Sequence, residues 1–335
     1  MQKAAIVILN YNGKEMLQKF LPNVIKNSHF EIIIADNAST DESVHFLKEH
    51  YPKIRTVLLE KNHGFSKGYN LALQSLKGEF EYYILLNSDV EVSPFWDLTL
   101  VQWLEEHPDF AAVQPKILSH QFPGKFDYAG AAGGFIDTLG YPYCRGRVLH
   151  TLEKDQGQYD EMMEVDWVSG ACFVVRSSLF HQEGGFDDIF FAHMEEIDLC
   201  WRFSRLGYKL GCIGNTSVFH VGGGTLSRSS PFKTYLNFRN NLLMLYKNLT
   251  PSSFFKITLA RIFLDAGAAV HFLIQGEWAH SKAVLNAYRD FLKFKGRINK
   301  KAPLASKLPF RKIGKKIPSV IWVYYLKGNK KFGDI

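Results

Sequence analysis

The chain opens with apolar and polar positions that switch repeatedly between strand-like and helix-like spacing. Ala4 to Leu9 is an unbroken apolar run rich in β-branched residues, the pattern of a strand buried on both faces. Asn10-Tyr11-Asn12-Gly13 ends it, and Lys14 to Lys26 places Met16, Leu17, Phe20, Leu21 and Val24 at helical spacing. Glu31 to Ala35 predicts a second strand. Ser39-Thr40-Asp41-Glu42 predicts the start of a helix running to about His50, with Ser39 or Thr40 as its cap and acids in its first turn to suit the dipole. Ile54 to Leu59 and Phe80 to Leu86 read as the third and fourth strands, with a helix from about Tyr69 to Leu76 between them. This alternation predicts an α/β, mostly parallel, Rossmann-like half. Further along, the pattern predicts a helix over 95–107, a strand over 111–113 and an irregular insertion near a substrate over 119–160. Val165 to Arg176 and Lys209 to Val221 are expected as strands flanking a short amphipathic helix, Glu195 to Leu206.

Composition sharpens this picture in two places. A hydrophobic fraction of 46% supports a sizeable core. The net charge of +7 is uneven: residues 292–335 carry +12 and the preceding body −5. The basic charge therefore belongs to the tail. From 293 to 331 it is interleaved with Phe310, Ile313, Ile317, Val320, Ile321, Trp322, Val323, Tyr324 and Tyr325, which suits an anionic membrane surface at about 1 kcal/mol per Lys or Arg. A basic tail with one helix packed on the body is the plainer alternative. No motif that reads RNA or DNA accompanies the charge, so a nucleic-acid role is not expected. Ser252 to Gln275 is apolar but interrupted by Lys256, Arg261, Asp265 and His271. Crossing a bilayer would bury such charges at roughly 2.5–3.5 kcal/mol each near the midplane. A helix against protein or on the membrane surface is expected instead. The four cysteines lack metal spacing and read as reduced, buried thiols. The N-terminus enters a strand at once, leaving no room for a signal peptide, and a cytoplasmic chain is expected.

Two strand ends carry polar clusters with a carboxylate, Asp36-Asn37 and Asn87-Ser88-Asp89. Paired on one parallel sheet, they would frame a nucleotide crevice with a divalent metal, Mg²⁺ or Mn²⁺, at its mouth. Asp89 is the better metal ligand and Asp36 the better acceptor from a base N–H. Asn62-His63-Gly64-Phe65-Ser66-Lys67-Gly68-Tyr69-Asn70 combines two glycines that permit close backbone approach with a helix start offering N–H groups. Trp167, Ser169 and Gly170 suit a wall on which an acceptor sugar stacks. Glu195 and Glu196 open a helix and are candidates for a general base. Asp198 and Arg202 stand i,i+4 and suit a structural ion pair. His220, followed by Gly222-Gly223-Gly224-Thr225 and Arg228, is placed to complete a metal shell. Each of these signals has an ordinary structural reading when taken singly: a cap, a turn, a core Trp, acids at a helix start, a structural His. The absence of GxGxxG after the first strand disfavours a dinucleotide enzyme, and Asn10 to Gly13 supplies no basic loop for a nucleotidyltransferase.

In this order the segments resemble family 2 inverting glycosyltransferases of the GT-A fold, over about residues 3–245, with the likeness strongest to a rhamnosyltransferase-like bacterial branch. The resemblance implies a nucleotide-binding half over about 1–115, an acceptor half over about 116–245, and a helical basic extension over 246–335. It places Asn10, Tyr11, Asn12, Asp36, Asn37, Asn62, Gly64, Phe65, Gly68, Asn70, Asn87, Ser88 and Asp89 at the nucleotide-sugar, with Asp36 at the base. The family's DxD-like element corresponds to Asn87-Ser88-Asp89, in which Asn replaces the first acid. Its Glu-Asp base motif corresponds to Glu195-Glu196, so Glu196 takes the base position with Glu195 the alternative, and His220 matches a late metal ligand. Direct displacement with inversion is implied, from a UDP- or dTDP-sugar such as dTDP-rhamnose. The implied acceptor is a growing glycan, commonly lipid-linked, for cell-surface polysaccharide, made by an enzyme peripheral to the inner face of the cytoplasmic membrane. A catalytically inactive nucleotide-sugar or glycan-binding protein of the same fold is the alternative. Oligomeric state is not readable from the sequence.

Overall fold

A computed structural model describes residues 1–222, 230–298 and 317–335. Strands β1 (Gln2–Asn10), β2 (Glu31–Asp36), β3 (Arg55–Leu58) and β4 (Phe80–Asn87) alternate with helices α1 (Lys14–Asn27), α2 (Ser43–His50) and α3 (Gly64–Ser75). β5 (Val90–Val92), α4 (Trp96–Glu106) and β6 (Phe110–Ser119) follow. The 119–160 segment contains a small antiparallel sheet of β7 (Gly134–Ile136), β8 (Pro142–Cys144), β9 (Arg147–Val148) and β10 (Thr151–Leu152). The chain continues through β11 (Met163–Glu164), β12 (Cys172–Arg176), α5 (Ser177–Gln182), α6 (Glu195–Arg205) and β13 (Lys209–His220). Helices α7 (Pro231–Asn248), α8 (Pro251–Ile274), α9 (Trp278–Phe294) and α10 (Val320–Tyr325) form the C-terminal extension.

The main sheet runs β11-β13-β6-β12-β4-β1-β2-β3, with β5 paired to β13. β1 lies parallel to both β2 and β4, and β12 is antiparallel to its neighbours, so the sheet is mixed but mostly parallel in its first half, as expected. The apolar run of β1 divides by residue parity: Ala4, Ile6 and Ile8 pack with α1, α2 and α4, whereas Ala5 and Val7 pack with α3 and α6. All four cysteines are reduced and buried.

Several local expectations are corrected. α2 starts at Ser43, not at Ser39 or Thr40, because the Ser39 hydroxyl and amide are drawn to Asp36. The start is served instead by Asp41, whose carboxylate accepts from the Ser43 amide at 3.0 Å. α3 begins at Gly64, ahead of the expected Tyr69. Val165 to Ala171 is a crossing loop rather than a strand, held by the Asp166 carboxylate, which accepts from the Ile136 amide at 2.9 Å.

In the C-terminal chain, part of the apolar pattern is turned inward, as in the plainer alternative of one helix packed on the body. Ile317, Val320, Val323 and Tyr324 are buried against the body, leaving Trp322 and Tyr325 exposed. The Val320 amide donates to Asp137 at 2.7 Å, and Phe332 packs on Phe135 at 5.1 Å between centroids. Of the residues expected to touch lipid, Phe310 and Ile313 lie outside the described residues, as do most of the tail's cations. α8 is one uninterrupted helix of 24 residues, long and apolar enough to cross a membrane by length and composition alone. Arg261 and Asp265 are buried on its inner side, pairing at 3.2 Å, and Asp265 accepts from Tyr141 and Tyr288 at 2.6 Å each. Phe255, Leu259, Ile262, Phe263, Val270 and Ile274 are exposed on its outer side.

Candidate active site

Strand register brings the first polar clusters together. Asn10 stands opposite Asp36, and Leu9 opposite Asn87, so three strand ends meet at one edge of the sheet where β1 is flanked by β2 and β4. That is the switch point at which open α/β sheets hold nucleotides. Asp36 is buried, and both of its oxygens are engaged. Oδ2 accepts from Asn10 Nδ2 at 2.9 Å and from Ser39 Oγ at 2.7 Å, and Oδ1 accepts from the Ser39 amide at 2.8 Å. Asn12 has a left-handed φ of 49° and accepts from the Thr40 amide at 2.7 Å. Tyr11 alone of this group presents an exposed ring at the crevice mouth.

Asn37 clamps the next loop: its amide donates to Asn62 Oδ1 and the Gly64 carbonyl and accepts from the His63 amide at 2.9 Å. Two glycines here are dictated by space. A Cβ on Gly64, whose φ is +74°, would sit 2.5 Å from the Phe191 ring, and one on Gly68 would meet Asn37 and Leu9 at 3.1 Å. The expected free amides at the start of α3 are not free. Phe65 and Ser66 donate to the Phe191 carbonyl at 2.9 and 3.2 Å, tying this loop to the segment that precedes α6. Asn70 faces the same segment, bonding the Phe186 backbone in both directions and Asp188 at 2.9 Å.

At the third strand end, Asp89 Oδ1 lies 3.3 Å from His220 Nε2, while Oδ2 accepts from the Gly222 amide at 3.1 Å. Asn87 Nδ2 reaches His220 Nε2 at 3.4 Å, and the Ser88 hydroxyl sits beside Gly13. The other ring nitrogen of His220 lies 3.3 Å from Asp127, a buried acid of the insertion that sequence reasoning missed because nothing local marks it. Burial opposes a charged imidazole, but bonds to Asp127 and Asp89 outweigh it and raise His220 to about 9. Burial likewise works against charge on Asp89, yet His220 and the Gly222 amide hold its carboxyl below the usual range. Among the described residues, no group of three or more His, Cys, Asp or Glu side chains forms a metal site. The Asp89 oxygen and His220 nitrogen converge as two adjacent donors to one cation would. A carboxylate and an imidazole that has given up its Nε2 proton, completed by water or phosphate oxygen, fit Mg²⁺ or Mn²⁺. Gly223, Gly224, Thr225 and Arg228 lie outside the described residues.

Trp167 and Ser169, expected at the acceptor, meet Glu196 in a cavity of about 320 Å³ that Glu195 does not line. Trp167 donates to the Phe135 carbonyl at 3.0 Å and packs flat on Gly134, so its ring is fixed. Ser169 donates to the Ala129 carbonyl at 2.9 Å. Gly170 stands between Phe65 and Glu196: a Cβ there would lie 3.4 Å from the Phe65 ring and 3.9 Å from the Glu196 carboxyl carbon. Its neighbour Ala171 accepts from the Asn87 amide at 2.9 Å. Asn87, Ala171, Gly170 and Glu196 thus form a short chain of contacts from the crevice to the cavity, although Asp89 and His220 do not line the cavity itself.

Glu195 and Glu196 differ in their surroundings. Glu195 is buried, and burial, followed by the charge of Glu196, pushes its carboxyl well above the usual range. Glu196 is half-buried and lines the cavity, and burial pushes it up to about 7. One carboxylate oxygen of each has no hydrogen-bond partner among the described residues. Behind them, Asp198 accepts from Arg202 Nε at 2.9 Å, the expected i,i+4 pair. It also accepts from Lys247 Nζ and Asn248 Nδ2 of α7, each at 2.8 Å.

Comparison with known proteins agrees with this geometry. The family model "Glycosyl transferase family 2" matches residues 5–175, just over half of the chain. The chain belongs to glycosyl transferase family 2. This family member is 24% identical over 242 residues to the low-salt glycan biosynthesis hexosyltransferase Agl10 of Haloferax volcanii, across 71% of this chain and 74% of the relative. It is 26% identical over 234 residues to the N-acetylglucosaminyl-diphospho-decaprenol L-rhamnosyltransferase of Mycobacterium tuberculosis, across 64% of this chain and 75% of the relative. Among solved structures it is similar to the mannosyltransferase PcManGT of Pyrobaculum calidifontis in complex with GDP-Man and Mn²⁺, with a TM-score of 0.51 and 14% identity, over 87% of this chain and 75% of that one. The fold of this glycosyltransferase is GT-A-like, with a helical C-terminal extension.

Proposed function

We propose that this family 2 glycosyltransferase moves a hexosyl-type sugar, such as rhamnose, from a UDP- or dTDP-sugar to a glycan acceptor carried on a lipid, with inversion at the anomeric carbon. The observation that carries this reading is the position of Glu196. It is an ionisable carboxylate with an unpartnered oxygen, in a cavity that adjoins Gly170 and Phe65 of the crevice side. An acceptor hydroxyl in that cavity would give its proton to Glu196 as it attacks, and no covalent enzyme intermediate is required. Trp167 and Ser169 form the acceptor wall. Asn10, Asp36, Asn37 and Asn62 shape the nucleotide crevice with Tyr11 at its mouth. Asp89 and His220 would hold Mg²⁺ or Mn²⁺, which when bound offsets the negative charge of the leaving diphosphate. The names of a relative and of a similar solved structure, an L-rhamnosyltransferase acting on a diphospho-lipid and a mannosyltransferase with GDP-Man and Mn²⁺, support the reading.

Asp89→Asn tests the metal assignment. It keeps the shape and removes the charge. With a matched donor and acceptor, transfer is expected to fall by at least about 100-fold, because losing even a residue that only supports a metal ligand costs about 10–100-fold. The Mn²⁺-dependent rise in melting temperature with UDP or dTDP should disappear. An unchanged Mn²⁺ response would show that the cation is held elsewhere.

The outer side of α8 and the exposed Trp322 and Tyr325 support contact with an anionic membrane surface, on the cytoplasmic side where a soluble nucleotide-sugar would be supplied. The double variant Phe255→Ser/Phe263→Ser alters two exposed side chains. Each buried Phe is worth roughly 1.5–3 kcal/mol. Pelleting with anionic liposomes is therefore expected to fall more than tenfold while the melting temperature holds. Equal pelleting of variant and wild type would remove α8 from the membrane assignment.

A further inference from the structure

The cavity beside Glu196 has a charge its proposed sugar-binding role does not require. Arg147, Lys233 and Arg261 line it, and Glu196 is the one acid among the described lining residues. Arg261 is balanced by Asp265 at 3.2 Å. Arg147 is not balanced in the same way. Its guanidinium is buried, packs over the Tyr128 ring at 3.9 Å, and donates one bond to the Tyr128 carbonyl at 2.7 Å. Its Nε has no acceptor among the described residues, and the acid that acts on it, Asp127, is bonded to His220 instead. Half-buried Lys233 approaches the same Tyr128 ring at 5.4 Å. Burying a guanidinium with an unmet donor is costly unless an anion completes it.

We propose that this cavity is an anion subsite for the diphosphate of a lipid-carried acceptor, with Arg147 as its buried contact and Lys233 beside it. The inference rests on the transfer reading above, in which Glu196 faces the acceptor. The lipid is argued from the cavity's surroundings. Arg261 brings α8 into the cavity wall, and the opposite side of that helix exposes Phe255, Ile262, Phe263, Val270 and Ile274. His150, also in the lining, packs against Tyr324 of α10 at 6.5 Å between centroids, and its neighbours Trp322 and Tyr325 are exposed. A cationic recess flanked on two sides by apolar surface suits an anion with a hydrocarbon tail better than a free diphosphate.

The test is a calorimetric titration of the full chain with Mn²⁺ and saturating UDP or dTDP, which keep the donor crevice filled. The probes are farnesyl diphosphate, inorganic pyrophosphate and farnesol. Farnesyl diphosphate is expected to bind at least tenfold more tightly than either other probe. Arg147→Met, which keeps the side-chain stem, should weaken farnesyl diphosphate at least tenfold and leave farnesol unchanged. Lys233→Gln should weaken it several-fold, and this variant decides the matter should Arg147→Met fail to fold. Equal binding of pyrophosphate and farnesyl diphosphate would reduce the cavity to a free-anion site and overturn the lipid assignment. Farnesyl diphosphate binding that Lys233→Gln leaves unchanged, or no binding at all, would overturn the subsite. Glu196→Gln, which removes the one acid of the lining, should bind the probe at least as tightly as wild type does. Because no turnover is needed, failure here is distinguishable from failure of the transfer reading, which would appear as transfer that survives Glu196→Gln.

Discussion

Glu196→Gln is expected to lower kcat by roughly 10²–10⁴-fold with little change in the KM of the donor, the usual loss when a general base is removed. The amide keeps the volume and cannot take a proton. Glu195→Gln is expected to change kcat only a few-fold. Burial and the charge of Glu196 push the Glu195 carboxyl well above the usual range, and it does not line the cavity, so an amide there removes no group that faces the acceptor. The wild-type pH profile provides an independent check. A base raised to about 7 must be ionised to act, so kcat/KM should fall about tenfold per pH unit on the acid side of 7 and level off above it. The sign for stability is opposite: ionising a buried carboxyl whose folded value is raised weakens the fold as pH rises from the ordinary glutamate range through 7. Loss of activity in Glu195→Gln with retention in Glu196→Gln would exchange the two roles. Retention in both would remove the acid pair from the reaction.

Asp198→Ala is expected to destabilise the protein by about 3–5 kcal/mol, the cost of leaving a buried charge uncompensated. Here two cations lose their partner, because Arg202 and Lys247 both converge on this carboxylate. Part of the loss is tempered by Asp187, which stays 2.7 Å from Lys247. At roughly 2–4 °C per kcal/mol for a large domain, the melting midpoint should drop by about 6–20 °C. Burial alone would raise Asp198, but Lys247 and Arg202 overcome it and hold the group at about 2. Its contribution is therefore complete above the ordinary aspartate value of 3.8 and is lost as pH falls from there through 2. The deficit of the variant should be full at neutral pH and shrink in that acid window. A midpoint within about 1–2 °C of wild type at neutral pH would show that the network does not hold α6 against α7, since even ~1 kcal/mol moves it by about 2–4 °C.

The parts of the site that follow from one-dimensional pattern were legible, and the parts made by distant chain segments were not. Strand ends at Asn10, Asp36 and Asn87 follow from apolar runs that stop at polar clusters, and register then sets them side by side. The acid-rich start of α6 and the Asp198–Arg202 pair follow from helical spacing. The amides at the start of α3 were misread because their acceptor, the Phe191 carbonyl, comes from a loop more than a hundred residues further on. Asp127 and Arg147 carry no local signal, since the insertion acquires meaning only when folded over His220 and Glu196. Glu195 and Glu196 are alike in sequence, and only burial separates them. The tail's apolar residues looked available for lipid, yet four of the seven described ones, Ile317, Val320, Val323 and Tyr324, are spent on the body.

α8 has a topological consequence. Its inner side is a strut: Arg261 and Asp265 are locked to one another, and Asp265 to Tyr141 of the insertion and Tyr288 of α9. Threading this helix through a bilayer would strip those bonds and part the helix from the domain it braces. On the membrane contact proposed above, the folded chain would lie broadside to a lipid sheet, with the outer side of α8 turned toward it.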